Sequence, residues 1–257
     1  MISILSPAKS LDYGPQNLVT RKTTPAFLPD SEELIEIARK LSKKDLGKLM
    51  GISEKLAELN HERFQSWVTP FPNGEAKQAL LAFKGDVYQG FELESFEKKH
   101  WDFAQEHLRI LSGLYGLLRP LDMILPYRLE MGTRLVTKRG KDLYEFWGVS
   151  LTEALNKALK KQGDDILVNL ASNEYFGAVQ PKALNGRVIT PVFKDTKNGK
   201  VKIISFFAKR ARGMMADFII RNELAKVDDL KAFNVADYAF DAALSSADTL
   251  VFIRGER

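Results

Sequence analysis

The sequence predicts one domain of the α/β class, a mixed α+β fold spanning 1–257 with a central mixed sheet and surrounding helices. Short apolar runs at 2–5, 166–170 and 249–253 read as buried strands. Apolar residues recur at three and four from Leu143 to Leu159, which reads as an amphipathic helix. Lys197-Asn198-Gly199-Lys200 between two β-rich runs reads as a hairpin turn. Strand and helix signals are interspersed along the chain, and no repeat, low-complexity block or linker divides it.

In chain order, the strand at 2–5 stops at Ser6-Pro7, and 11–29 is an extended segment rich in Thr and Pro. Asp30-Ser31-Glu32-Glu33 predicts a capping box ahead of the stripe Leu34, Ile35, Ala38 and Leu41. Two short helices, 44–50 and 53–64, surround Gly51, and a Pro/Gly loop covers 69–74. The run 79–83 fits a strand, with helix as the alternative. A helix through 101–108 leads to a strand at 109–112. A single helix is expected over 142–162, with Lys160 and Lys161 in its last turn and Gly163 beyond. Strands at 188–193 and 201–207 flank the hairpin turn, and 208–224 is helical.

Composition narrows the function. The chain carries 38 basic and 33 acidic residues, a net charge of +5. Between 194 and 212, Lys194, Lys197, Lys200, Lys202, Lys209, Arg210 and Arg212 face only Asp195, so this window outweighs the whole excess. Such a balance suits phosphorylated or nucleic-acid partners. Cysteine is absent, which excludes disulfides, thiolate nucleophiles and cysteine-bound metals. The N-terminal apolar run lacks the length and basic lead of a signal peptide. No window reaches the roughly 20 apolar residues of a membrane span. A cytoplasmic location with no membrane partner is expected.

The richest stretch for chemistry is 107–132, where Arg109, Arg119 and Arg128 are interleaved with Gly113, Gly116, Pro120, Pro126 and Gly132. Turns there would put guanidinium forks on loops, suited to phosphate or carboxylate. Three strand ends also turn polar: Ser6 to Lys9, Lys84 to Tyr88 with Asp86, and Ala171 to Tyr175 with Ser172 and Glu174. Ligands in open α/β sheets bind beyond the carboxyl ends of strands, so these three could form one site. Ser172 or Asn173 capping a helix, and Lys84 with Asp86 as a local ion pair, are the plainer readings. Lys209, Arg210 and Arg212 open the helix near Ala208, where an anion would relieve their conflict with the helix dipole.

The segment 43–65 resembles a helix-hairpin-helix module, which grips a nucleic-acid backbone. Leu49, Met50, Gly51, Ile52 and Ser53 occupy the hairpin and Lys55 supplies a cation. Met50 and Ser53 replace the usual proline and second glycine; an ordinary αα-turn accounts for the same residues. His61, His100 and His107 form no metal-binding pair, although Asp102 and Glu106 share a face near His107. No Walker A, nucleophile elbow or dinucleotide fingerprint is present.

Taken together, LSPAKSLDY, LAFKGDVYQG, HLRILSGLYGLLRPLDMILPYRLEMG, GKDLYEFWG, NLASNEYF and ISFFAKRARGMMADFII resemble the YaaA family of bacterial peroxide-stress proteins. The resemblance implies a protein that helps cells survive hydrogen peroxide by keeping unincorporated iron low. It also implies an embedded helix-hairpin-helix, a positively charged cleft that binds DNA, and no established catalytic activity. By matching motif, Lys9, Lys84, Arg109, Arg119, Arg128, Lys209, Arg210 and Arg212 would line that cleft. No cofactor or metal is expected, and a monomer is favoured. The competing expectations are an enzyme on a nucleotide or nucleic-acid phosphate, with Asp86 or Glu174 as general base, and iron held by His100, His107, Asp102 and Glu106.

Overall fold

A computed structural model describes residues 1–255; the last two positions of the expected 1–257 domain lie outside the described residues. Eight strands form the central sheet, and its order is not the order of the chain. From one edge it runs Tyr238–Asp241, Thr249–Arg254, Arg187–Lys197, Ile166–Asn169, Ile2–Leu5, Leu108–Ser112 and Gly116–Leu118. The five inner strands are parallel, and the two edge strands pair antiparallel. Lys200–Lys202 folds back on the end of Arg187–Lys197 through the expected turn at Asn198-Gly199. Ile2–Leu5 and Leu108–Ser112 are buried along their whole length, as unbroken apolar strands inside a covered parallel sheet should be.

Helices cover this sheet. Lys98–His107 and Ser205–Arg221 pack on its strands and on each other, and Ser150–Gln162 packs at the Gly116–Leu118 end. Ser205–Arg221 comes very close to the turn at Tyr88–Gly90: a Cβ on Gly213 would stand 1.7 Å from the Val87 carbonyl oxygen. Only a glycine permits that approach. The three tryptophans are all buried. Trp67 donates its Nε1–H to the Tyr115 hydroxyl (2.8 Å) and Trp147 to the Gly113 carbonyl (3.1 Å).

Several expectations need correction. The helix expected across 142–162 is two, Leu143–Trp147 and Ser150–Gln162. Gly148 stands at φ 50° and ψ −124°, a conformation that side-chain-bearing residues avoid, and turns the chain between them. The first helix begins at Leu28, not after Asp30, with no side-chain cap. Asp30 and Glu33 instead hold Arg139 at 2.6 and 2.5 Å. The run 79–83 forms a single helical turn, Ala79–Ala82, then the short strand Phe83–Lys84. The strand expected at 201–207 ends at Lys202, because Ser205 already starts the next helix. Tyr238–Asp241 is an edge strand that the sequence pattern did not announce.

Candidate functional site

Ile2–Leu5 lies between Leu108–Ser112 and Ile166–Asn169, and the chain visits the first neighbour before crossing to the second. The connections therefore diverge between Ile2–Leu5 and Ile166–Asn169, the switch point where α/β sheets open a crevice. Ser6 and Ser172 follow these two strands and meet there. The Ser172 amide donates to Ser6 Oγ at 2.9 Å, and the two hydroxyls are 3.2 Å apart. Ser172 Oγ also accepts from the Tyr175 amide at 3.5 Å, so the capping role and the convergence coexist.

The remaining strand ends are tied to the same place. Ser10–Leu11 pairs antiparallel with Phe83–Lys84, setting Ser10 opposite Lys84. A Cβ on Gly85 would lie 3.1 Å from that of Ala8. Tyr88 donates its hydroxyl to the Ser6 carbonyl at 3.0 Å. Lys9, Lys84, Asp86 and Ser172 thus gather at one end of the central sheet, with Lys84 and Asp86 brought there by the separate two-stranded pairing rather than by a strand of that sheet. Two buried tyrosines underlie the group, Tyr127, which shares a 2.6 Å hydrogen bond with Ser112 Oγ, and Tyr175. Burial pushes both phenols upward and keeps them protonated at neutral pH.

The charges at this end are mostly paired. Lys9 meets Glu130 at 2.6 Å, and Arg128 meets the same carboxylate at 2.9 Å. Partial burial raises the Glu130 pKa, but hydrogen bonds from Lys9 and Arg128 outweigh it and hold the group below its ordinary range. Lys84 meets Asp12 at 2.9 Å, and its hydrogen bond is the main reason that Asp12 is depressed. The expected Lys84–Asp86 pair is replaced by Lys84–Asp12, and Asp86 lies 4.0 Å from Lys209. Glu174 accepts from the Gly132 amide at 3.0 Å. Asp12 and Glu130 were passed over in the sequence; the alternation Arg128-Leu129-Glu130 was the available signal for the latter.

Not every expected cation arrives here. Arg109 is a buried strand residue rather than a loop residue, and it turns back to the carbonyls of Gln105 (3.1 Å) and Leu108 (2.8 Å). Burial, then neighbouring Arg119, lowers its pKa to about 10. Arg119 reaches Asp122 at 3.0 Å and the Thr24 carbonyl at 3.3 Å. Both stand at the amino end of Leu108–Ser112, away from Ser6 and Ser172. Lys209, Arg210 and Arg212 lie in the second turn of Ser205–Arg221, not the first, so the expected clash with the helix dipole is weaker. Arg210 is exposed and Arg212 half-buried.

A second basic surface lies at the paired helices Lys43–Met50 and Glu54–Ser66. Ser42 caps the first, and Gly51 closes it in the left-handed conformation with the Ile52 amide bonded to the Gly47 carbonyl at 3.1 Å. Leu49 and Met50 end this helix on the protein side. Ser53 begins the second helix without capping it. Lys43 braces the pair through Glu58 at 2.6 Å. Lys44, Lys48 and Lys55 are exposed beside the turn, with no carboxylate within 4 Å among the described residues.

The histidines have other partners. His100 Nδ1 accepts from the Glu97 amide at 3.0 Å, closing a capping box. His107 stacks on Phe103 at 4.0 Å with Nδ1 against the Met1 carbonyl oxygen, 2.9 Å away. Asp102 holds Arg21 and Lys98, and Glu106 holds Lys161. No cluster of three or more metal-ligating side chains occurs among the described residues.

The fold and site define a mixed α/β protein with a polar switch point and a lysine-bearing helical pair at its surface. The family model described as peroxide stress protein YaaA matches residues 1–244. A UPF0246 protein of Saccharophagus degradans is 56% identical over 254 residues, covering 99% of each chain. The chain belongs to the peroxide stress protein YaaA family, and its role lies in the response to peroxide. No helix among the described residues is long and apolar enough to cross a membrane.

Proposed function

We propose that this peroxide-stress protein binds DNA by its phosphate backbone and, through that binding, helps to limit free intracellular iron. The observation that carries the DNA reading is the helical turn at Gly51–Ser53, flanked by Lys44, Lys48 and Lys55, which are exposed and meet no carboxylate among the described residues. Ser53 leaves the first amides of Glu54–Ser66 without a side-chain cap, and such amides suit a phosphate oxygen. Backbone contacts of this kind position a protein without reading sequence. The iron arm rests on the family resemblance.

Anisotropy titration of duplex DNA across a salt series tests the reading. Affinity should fall steeply with salt, since each phosphate contact releases counterions. The double variant K48E/K55E should weaken binding at least ~10-fold on every sequence. Salt-independent binding, or an unchanged K48E/K55E, would defeat the DNA reading. Chelatable iron after a peroxide challenge should rise in cells carrying that variant; no rise would remove the iron arm.

The switch point favours a second reading, an enzyme acting on a nucleotide or nucleic-acid phosphate. Asp86 is its better general base, because Lys209 holds it loosely at 4.0 Å while Glu174 already accepts from a backbone amide. D86A should then abolish turnover and spare ligand binding.

A further inference from the structure

Every other buried or half-buried arginine described donates to a protein oxygen, as Arg128 does to Glu130 and Arg254 to Asp195. Arg212 is half-buried and has no hydrogen bond, ion pair or ring partner among the described residues. Arg134 and Arg210 also lack partners, but both are exposed and water satisfies them. The Arg212 nitrogens still reach solvent, yet it alone of the half-buried arginines described has no protein acceptor in place of the water it loses, and that calls for a cause.

Its position supplies one. Along Ser205–Arg221, Ala208, Ala211, Met215 and Ile219 are buried in the helix that packs on the sheet. Lys209, Gly213 and Asp217 meet Asp86, Val87 and Glu92 on another side. At about 100° per residue, Arg212 falls between these two stripes. It therefore addresses the crevice between the sheet and the 84–92 segment, where Tyr88 reaches Ser6. Lys84 and Lys209 flank this crevice with side chains 67% and 54% exposed.

We propose that Arg212 anchors an oxyanion site at the switch point that takes a phosphate group. The proposal rests on the second reading above and is independent of the helical turn at Gly51–Ser53. A guanidinium fork matches two phosphate oxygens, and the neighbouring lysines favour a dianion over a carboxylate. The phosphate can belong to a free phosphorylated ligand or to the DNA backbone, and the two sources are separable.

Calorimetric titration of the full chain with inorganic phosphate and with a 5′-phosphorylated dinucleotide tests it, using wild type, R212M and R212K. Wild type should bind, R212M should lose at least ~10-fold and R212K should fall between. Because R212M could also perturb packing, phenylglyoxal labelling of wild type provides a second measure. Arg212 should be modified, and phosphate should shield it. Absence of wild-type phosphate and dinucleotide binding, or labelling of Arg212 that phosphate leaves unchanged, overturns the proposal. If R212M weakens duplex binding as much as phosphate binding, the site holds the DNA's own phosphate. If duplex binding is spared, the ligand is a free phosphate ester. K48E/K55E should leave phosphate binding intact, so failure of the DNA reading and failure of this one are told apart.

Discussion

Asp195 stands in the sequence as the single acid of a window with seven cations, where it looks like a minor correction to a basic surface. Folding removes it from that surface. Arg254 donates to it at 2.7 Å, Tyr238 caps it at 3.2 Å, and both charged side chains are almost fully enclosed. The exposed part of the window is therefore more positive than its composition indicates, a fact no linear count contains, since Arg254 lies far along the chain. D195A should destabilise the protein by ~3–5 kcal/mol in denaturant melts, because it leaves Arg254 buried and unpaired. Glu130 makes a pH prediction. Its folded pKa lies below the unfolded value, so its contribution is present above the unfolded pKa and disappears as pH falls through the folded one. Stability should drop on acidification below the ordinary glutamate range, and E130Q should flatten that drop; an unaltered acid limb would contradict the assignment.

At the level of elements, periodicity located helices well and their interruptions poorly. The stripe from Leu143 to Leu159 is real, yet it continues in register across Gly148, so nothing in the spacing reveals that the chain turns there. The Asp30–Glu33 box failed for a different reason: its carboxylates were taken by Arg139, a partner more than a hundred residues away. Local capping signals compete with such tertiary partners. Gly213 is the clearest constraint between elements, joining Ser205–Arg221 to the turn that carries Tyr88. G213A would force the helix off that turn and should lower stability by ~2–3 kcal/mol or more. It should also weaken any ligand held between Arg212 and Asp86, read as a loss of affinity at a temperature where the variant remains folded.

Across the whole molecule, the polar ends of Ile2–Leu5 and Ile166–Asn169 were legible because these strands are short and punctuated, and their carboxyl ends can be read from Ser6 and Ser172; Lys84 was read from a strand at 79–83 that is a helical turn instead. The strand order was not legible. Ile2–Leu5 reaches the middle of the sheet only because segments more than a hundred residues downstream flank it on both sides. Which arginines share an end of the sheet depends on that order, so Arg109 and Arg119 were grouped with Lys9 in sequence and separated from it in space. The turn at Gly51–Ser53 was visible locally and formed where expected, since both helices and the closing glycine are encoded within one short segment.

The buried tryptophans turn this architecture into its own optical reporter. Trp67 ends the second helix of the lysine-bearing pair, Trp101 lies in the helix before Arg109, and Trp147 precedes the break at Gly148. All three indoles are sheltered from water, so native emission should be blue and should redden as each neighbourhood opens. A variant keeping only Trp67 would then read the seating of the helical pair through its bond to Tyr115, without any dye. A colour change on adding DNA would reveal that the pair shifts as it binds, and a constant colour would mark it as a rigid grip.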